Sequence, residues 1–427
     1  MLRHANSSVL LLLLLVTFGA CASGPDTAAD EDVFLLSEGR ELLGNRDIKA
    51  VSYSGHRKVP RSVENTPSVA ETKEDLRIMA AMDIKLLRTY NTTIFPHSER
   101  ILQAIRELKQ EDPGFEMYVM LGAWMQCVGA FTDEADHTVE DADFNQGEIE
   151  AAIRLAAEYS DIVKIIAVGN ESMVTWQGHF VPSSVVLRWV KRLQEAREAG
   201  EIPAGTRITT SENWAALGGE ESYRNDDLAE LVERMDFLSL HTYAFHDTYY
   251  NPALQWAPGR DEVELPPTVI VDQAIERAIA LQESQVQAVR DYLASLGLAK
   301  EIHIGETGWA SLDDSHYGPD GTRAADEYIA GRFHAAARRW TRQNGMTCFY
   351  FQAFDEPWKS DGTDGSEGHF GLITVDGQAK FAIWDQVDAD AFDGLTRGGN
   401  PIVKTHDGNA QVLLDELQMP VHLKFEP

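Results

Sequence analysis

The chain has 427 residues, 44% of them hydrophobic and 25% charged, and its formal net charge is −31. It has enough apolar residues for a full core, and its acidity excludes general attraction to nucleic acid, which needs basic patches. The same charge disfavours anionic polysaccharides, so we expect a neutral substrate.

The beginning of the chain has the pattern of an export signal. A basic start precedes an apolar run at residues 9–18, too short to span a membrane, and small residues precede Cys21. We expect a signal peptide at 1–21, followed either by lipidation of Cys21 or by plain secretion, and a flexible tether at 22–40. The protein would then be an outer-membrane or cell-surface lipoprotein, periplasmic or secreted, with membrane contact only through a lipid anchor.

Short apolar runs alternate with longer amphipathic patterns along the rest of the chain. The predicted strands are 48–53, 84–90, 116–121, 163–168, 207–211, 237–241, 301–304 and 347–351. The predicted helices are 72–82, 98–109, 148–159, 184–198, 226–233, 272–298 and 325–343. Strands that are apolar nearly throughout indicate a parallel sheet covered by helices.

Eight such strands favour an α/β fold, a single-domain (β/α)8 TIM barrel at residues 41–395, with 396–427 as a C-terminal extension packed on it. An open doubly wound sheet is the alternative. It would have a glycine-rich phosphate loop after its first strand, where this chain has Ser54-Gly55-His56-Arg57. Cys127 and Cys348 are expected to be two buried thiols rather than a bridge.

Two carboxylates stand at predicted strand ends. Glu171 follows the fourth strand and Glu306 follows the seventh. A closed barrel brings such residues to its carboxyl face, where these folds carry their chemistry. A retaining glycosidase needs one carboxylic acid and one carboxylate about 5 Å apart. Each glutamate alone could equally be a surface or salt-bridge residue, and position does not decide which would be the acid.

Five segments carry a family resemblance. They are V-G-N-E at 168–171, I-G-E-T-G-W at 304–309, F-D-E-P-W-K at 354–359, L-R-T-Y-N at 87–91 and E-G-H-F-G-L at 367–372. In their order along the chain they resemble glycoside hydrolase family 17, the β-1,3-glucanase family. The resemblance implies retaining hydrolysis of laminarin-type β-1,3-glucan, with Glu171 as acid/base, Glu306 as nucleophile and Asn170 bonded to the sugar 2-hydroxyl.

The resemblance also implies further sugar-binding residues. They are Tyr53, Arg88, Asn91, Tyr243, Trp309, Glu356, Lys359 and Glu367. Structural alternatives exist: Arg88 as an interior ion-pair partner, the tyrosines as packed rim aromatics, and the last three as a solvated salt-bridge cluster. A lysine there could hold the nucleophile ionised. Trp124, Trp176, Trp309 and Trp358 are candidate stacking residues, and Trp214 is predicted to be a packing residue.

No cofactor or metal is expected, because the histidines are scattered and the loop at 361–367 does not match a calcium-binding pattern. Long rim loops at 132–145 and 245–267 would favour exo action or short oligosaccharides. The partner is expected to be a neutral β-glucan, and the protein a monomer. A β-1,3-glucan transglycosylase on the same site, and a catalytically inactive glycan-binding surface lipoprotein, are the alternatives.

Overall fold

The computed structural model of the protein describes residues 41–312, 315–360 and 365–421, so the predicted signal peptide, tether and Cys21 lie outside the described residues. Eight parallel strands close into a barrel whose order follows the chain, with the last strand paired to the first. They are β1 (Lys49–Ser52), β2 (Ile84–Arg88), β3 (Tyr118–Ala123), β4 (Val163–Asn170), β5 (Arg207–Asn213), β6 (Leu238–His241), β7 (Ile302–Thr307) and β8 (Cys348–Tyr350). The predicted (β/α)8 barrel is confirmed.

The described residues also form ten α-helices, several of which pack on the barrel strands. They are α1 (Val69–Ala81), α2 (His97–Glu111), α3 (Ala142–Glu158), α4 (Ser183–Glu198), α5 (Asp226–Arg234), α6 (Ala244–Tyr250), α7 (Pro267–Ser295), α8 (Glu327–Gln343), α9 (Trp384–Asp388) and α10 (Ala410–Glu416). Local sequence explains the start of α1: Ser68 accepts a hydrogen bond from the backbone N–H of Glu71, whose side chain bonds back to Ser68. None of the described helices combines the length and apolar character needed to cross a membrane.

The barrel strands bury both faces. Inward-facing Ala50, Leu86, Met120 and Ile165 form one apolar cluster, while the alternate residues of the same strands belong to the larger core shared with the helices. Towards the carboxyl ends the inward positions become polar. Arg88, two residues after Leu86, therefore lies inside the barrel beneath the carboxyl face.

Two predicted loops contain regular structure. Asp136–Glu140 pairs antiparallel with Cys127–Val128, forming a short ribbon after β3, and α3 starts at Ala142, earlier than predicted. The loop after β6 contains α6. The ribbon strand has mostly exposed side chains, so it lacks the alternation that identifies a half-buried strand.

The segment after residue 395 contacts the first helix. The Arg397 guanidinium donates to Asp75 of α1 at 2.9 Å, and Asp75 also accepts from Arg57 at 2.8 Å and from the Tyr53 hydroxyl at 3.0 Å. Thr396–Arg397 pairs antiparallel with Asn400–Pro401, and Gln378–Ala379 pairs parallel with Val403–Lys404. Cys127 and Cys348 are buried free thiols, as predicted.

Candidate active site

A cavity of about 1400 Å³ opens at the carboxyl ends of the barrel strands. Glu171 and Glu306 both line it. The other predicted site residues on its wall are Asn91, Asn170, Tyr243, Glu356, Lys359 and Glu367. The fold thus brings side chains that are far apart in the sequence to one cavity.

The turn after β4 presents Glu171 in a backbone conformation that is rare for a residue with a side chain. Its φ is 47°, and two residues earlier Gly169 has φ 81°. The Glu171 N–H donates to the carbonyl of Ser211 on β5 at 3.0 Å. The Glu171 carboxylate accepts from the side chain of Gln177 at 3.1 Å. Backbone strain of this kind persists only where surrounding contacts hold it, and it concentrates at functional sites.

Glu212 on β5 holds the same turn. Its two carboxylate oxygens accept from the backbone N–H groups of Ser172 at 2.9 Å and Met173 at 3.1 Å. Burial, reinforced by the charge of Glu171 and opposed by those N–H groups, raises the pKa of Glu212 to about 8. Glu212 was not predicted as a site residue, because the run before it at 207–211 is mostly polar and no family segment includes it.

This raised pKa predicts a stability that falls with pH. The pKa of an unfolded glutamate is about 4.3, so the folded state binds this proton more tightly. This proton contributes its full stabilisation below about pH 4, and the contribution is lost as pH rises through about 8. The free energy of unfolding should fall by up to a few kcal/mol over that range. We expect unfolding by urea to show a steeper loss of stability from about pH 5 to about pH 9 in the wild type than in Glu212→Gln. Exposed Glu221→Gln is the control, and parallel curves for all three proteins would contradict the prediction.

Glu306, at the end of β7, is buried and multiply paired. One oxygen is ion-paired with Arg88, and the other accepts from the Tyr243 hydroxyl at 2.7 Å. Burial alone would raise its pKa, but the charges of His241 and Arg88 and the hydrogen bonds from Tyr243 and Arg88 lower the pKa of Glu306 to about 2. Glu306 is therefore a carboxylate at ordinary pH, as an attacking group must be.

One imidazole nitrogen connects the two carboxylates. Nδ1 of His241, buried on β6, lies 3.1 Å from Glu171 Oε1 and 3.7 Å from Glu306 Oε2. Its Nε2 lies 2.8 Å from the Ser211 hydroxyl oxygen, which fixes the ring. The two carboxylate oxygens can be no further apart than the sum of the first two distances. Two oxygens this close are compatible with the roughly 5–5.5 Å between the carboxyl groups of retaining glycosidases, and they favour it over the roughly 6.5–9.5 Å of inverting ones.

The cavity also holds the predicted cluster of two carboxylates and a lysine, but the lysine is not paired with Glu306. Lys359 Nζ lies 3.1 Å from Glu356, which also accepts from the Ser54 hydroxyl. The opposite charge on Glu306 comes from Arg88 instead, which corrects the expectation that a lysine holds it ionised.

Glu367, the third member of that cluster, is half-exposed on the cavity wall. Its carboxylate lies 3.6 Å from His246 Nε2, and His246 in turn meets the Tyr317 hydroxyl at 3.0 Å. Glu367 therefore lies on an exposed part of the wall.

Three predicted sugar-binding residues do not line the cavity. Tyr53 is buried with its hydroxyl on Asp75, so its predicted place at the sugar site is wrong. Trp309 is buried against neighbouring aromatic rings, and its indole N–H donates to the Ala324 carbonyl at 2.7 Å, so it packs and does not form a platform. Arg88 is buried in an ion pair with Glu306, which is the structural alternative to sugar binding that the sequence had left open for it.

Aromatic side chains form much of the remaining wall. Trp124, Trp176 and Trp358 lie there as expected. Trp214 packs against the core, as predicted, and it lines the cavity as well. Further aromatic residues on the wall were not predicted from the sequence, among them Tyr90, Phe131, Tyr250, Phe351 and Phe370. Sugar rings stack on such flat apolar surfaces, so the wall suits a carbohydrate.

The described residues contain no group of three histidine, cysteine, aspartate or glutamate side chains placed to hold a metal ion. Residues 361–364 of the loop tested against the calcium pattern lie outside the described residues.

A parallel (β/α)8 barrel with two linked carboxylates and an aromatic wall at its carboxyl face defines a glycoside hydrolase. The profile of the BtgE/BtgC glycoside hydrolase domain matches residues 50–371. The chain belongs to this family, and the resemblance to glycoside hydrolase family 17 is confirmed.

Individual relatives agree with this assignment. The chain is 48% identical to an endo-laminarinase from Formosa Hel1_33_131, with a TM-score of 0.87 over 90% of this chain and 98% of that one. A family 17 β-1,3-glucanosyltransferase from Rhizomucor miehei, 17% identical with a TM-score of 0.53 over 79% of this chain and 97% of that one, shares the fold. A glucan 1,3-beta-glucosidase of Arthroderma benhamiae is 25% identical over 244 residues, which cover 55% of this chain and 66% of that protein.

Proposed function

We propose that the protein is a retaining glycosidase that hydrolyses laminarin-type β-1,3-glucan at internal linkages. The observation that carries this proposal is the single His241 nitrogen close to both Glu171 and Glu306, which brings the two carboxylates near enough for retention. The β-1,3 preference is supported by the 48% identical endo-laminarinase. The same similarity favours internal cleavage over the exo action that long rim loops suggested.

In the first step, Glu306 attacks the anomeric carbon while Glu171 gives its proton to the glycosidic oxygen. The bond from the anomeric carbon to that oxygen breaks, and the shortened glucan leaves with a new hydroxyl. Glu306 is held for this attack by Arg88 and Tyr243, which contact separate carboxylate oxygens.

In the second step, a water molecule attacks the anomeric carbon and Glu171, now a carboxylate, takes the water proton. The ester to Glu306 breaks, both glutamates return to their starting states, and one water has been consumed. Two displacements at one carbon retain its configuration.

We propose that two asparagines on the cavity wall bind sugar hydroxyls. Arg88 donates to the Asn170 side-chain oxygen, which leaves the Asn170 amide hydrogens free to meet the 2-hydroxyl. The side-chain oxygen of Asn91 is buried and has no hydrogen-bond partner among the described residues. A buried acceptor of this kind is costly until a ligand donor satisfies it.

The test is incubation of the purified protein with laminarin, lichenan and a cellulose oligomer, with products resolved by size and anomer. We expect internal fragments from laminarin in the first minutes, with the β anomer formed first. Glucose alone would overturn internal cleavage, and α-configured first products would overturn retention. Products longer than the substrate would indicate transglycosylation, and no release of reducing ends would favour the inactive glycan-binding alternative.

The low pKa of Glu306 predicts that turnover survives in acid. The nucleophile must be ionised, so the acid limb that it sets in kcat/KM lies near pH 2 and activity is lost as pH falls through that value. In Arg88→Met the loss of the guanidinium lets burial raise the pKa of Glu306, so the acid limb should move up by at least about one pH unit. Arg88→Lys, which keeps the charge, should move it less. Identical acid limbs in the wild type and Arg88→Met would contradict the role given to Arg88.

We also propose that the protein is exported and anchored through lipidation of Cys21, on the strength of the apolar run and the small residues before it. Fractionation of cells expressing the full chain and Cys21→Ala tests this. A membrane-bound wild type with a released variant is expected, and equal distribution of the two would overturn the anchor.

A further inference from the structure

Two exposed aromatic rings stand beside the turn that carries Glu171. Trp176 lies on that turn, and Phe131 lies on the connection within the ribbon after β3. Both line the cavity, and they are 63% and 65% exposed. We propose that Phe131 and Trp176 form an aromatic platform that stacks on glucosyl units on the leaving-group side of the scissile bond. This inference rests on the proposed glucan hydrolysis.

The Phe131 ring is held in place rather than left free. Its backbone adopts φ 64°, which is unfavourable for a bulky residue, and its N–H donates to the Gly178 carbonyl at 2.9 Å. Gly178 makes room for the ring, because a Cβ there would lie 3.1 Å from a Phe131 ring atom. An exposed apolar ring kept in a strained conformation has no role in the core. Its position suits a ligand that covers it.

The support beneath the Phe131 ring is aromatic as well. The ring lies 5.2 Å from the His179 ring, and the His179 ring lies 4.4 Å from that of Trp124, with both pairs tilted by about 31–32°. Because His179 Nε2 meets the Asn170 carbonyl oxygen at 3.0 Å, this nitrogen carries the proton and donates it. The platform is therefore attached to the backbone of the catalytic turn.

The position of Glu171 indicates which part of the substrate reaches the platform. Glu171 must give its proton to the oxygen that leaves, so the leaving sugar extends from the Glu171 carboxylate. Glu306 attacks the other side of the same bond. Side chains on the Glu171 turn and on the neighbouring ribbon therefore face the leaving sugar or the one after it. A flat apolar platform suits the faces of neutral glucosyl rings.

The test compares two substrates that share the glycone but differ in the leaving group. One is a linear β-1,3-glucan hexasaccharide, and the other is an aryl β-glycoside of the β-1,3-linked disaccharide, whose leaving group is no sugar. We expect Phe131→Ala and Trp176→Ala each to lower kcat/KM for the hexasaccharide about tenfold and to change the value for the aryl glycoside less than about twofold. Trp176→Phe should keep most of the hexasaccharide activity.

The control is Leu414→Ala, which removes an exposed apolar side chain on α10 that does not line the cavity. It should leave both values unchanged, and thermal melting checks that all variants fold. Equal losses on both substrates, or none on the hexasaccharide, would overturn the platform. A wild type that cleaves neither substrate would overturn the proposed function itself, and this inference with it.

Discussion

Glu306→Gln is expected to turn over β-1,3-glucan at least about 10⁴-fold more slowly than the wild type. The amide has nearly the shape of the carboxylate, and its oxygen can still accept from Arg88 or Tyr243. It carries no charge and cannot form the ester to the anomeric carbon. The measurement is kcat on laminarin and on an aryl β-glycoside, with thermal melting to show that the variant remains folded.

Added azide distinguishes loss of the nucleophile from damage to the rest of the active site. In Glu306→Gly an azide ion can enter the vacated space and displace the aryl group of an activated β-glycoside in one inversion, giving an α-glycosyl azide. The matched control is Glu220→Gln, which neutralises an exposed carboxylate on the same cavity wall and should cost severalfold at most. Near wild-type turnover in Glu306→Gln, or a β-glycosyl azide from Glu306→Gly, would remove Glu306 from the role of nucleophile.

The barrel could be predicted because most of its strands are buried on both faces and therefore have nearly continuous apolar sequences. Residues 163–168 are such a run, and the structure extends it to Asn170, directly before Glu171. The two carboxylates could be found for the same reason, since each interrupts an apolar run where it reaches the carboxyl face. The ribbon at 127–140 could not, because most of its second strand is exposed and lacks periodicity.

The partners of the carboxylates could not be predicted, because they come from distant strands. Arg88 is 218 residues away from Glu306 in the chain, and no local pattern marks it as the partner in preference to Lys359. Glu212 is likewise fixed by contacts with a turn some 40 residues earlier. Such pairings depend on how the barrel closes.

The orientation of aromatic side chains on loops could not be predicted either. Trp309, three residues after Glu306, turns into the core to reach the Ala324 carbonyl, whereas Trp214 after β5 lines the cavity. Whether a side chain on a loop faces inward depends on the path of the loop. That path is determined by packing against other loops, which sequence periodicity does not report.

The surroundings of the two glutamates support a division of labour that the sequence left open. Glu306 is buried and paired with the Arg88 guanidinium, which favours its charged form. Glu171 is more exposed, and its partners are the Gln177 amide and the His241 imidazole. A fixed charge suits the nucleophile, while a group that must gain and lose a proton in each cycle needs partners that accept both states.

Glu171→Ala is accordingly expected to lose about 10²–10⁴-fold in turnover of glucan, whose leaving oxygen needs a proton. With an aryl β-glycoside whose leaving group is a weak base, the first step needs no proton and should remain fast. The second step lacks its base, so the glycosyl enzyme should accumulate. A burst of aryl alcohol equal to the enzyme concentration, followed by slow steady release, is the expected time course.

Added azide should then restore steady turnover of the aryl glycoside by Glu171→Ala, because azide attacks without needing a base. It would discharge the ester at Glu306 by a second inversion and give a β-glycosyl azide, opposite in configuration to the product from Glu306→Gly. Gln177→Ala is the control, since it removes a partner of Glu171 and keeps the carboxylate. It should show neither burst nor azide rescue. Loss of activity on glucan and aryl glycoside by the same factor, with no burst, would mean that Glu171 is not the acid/base.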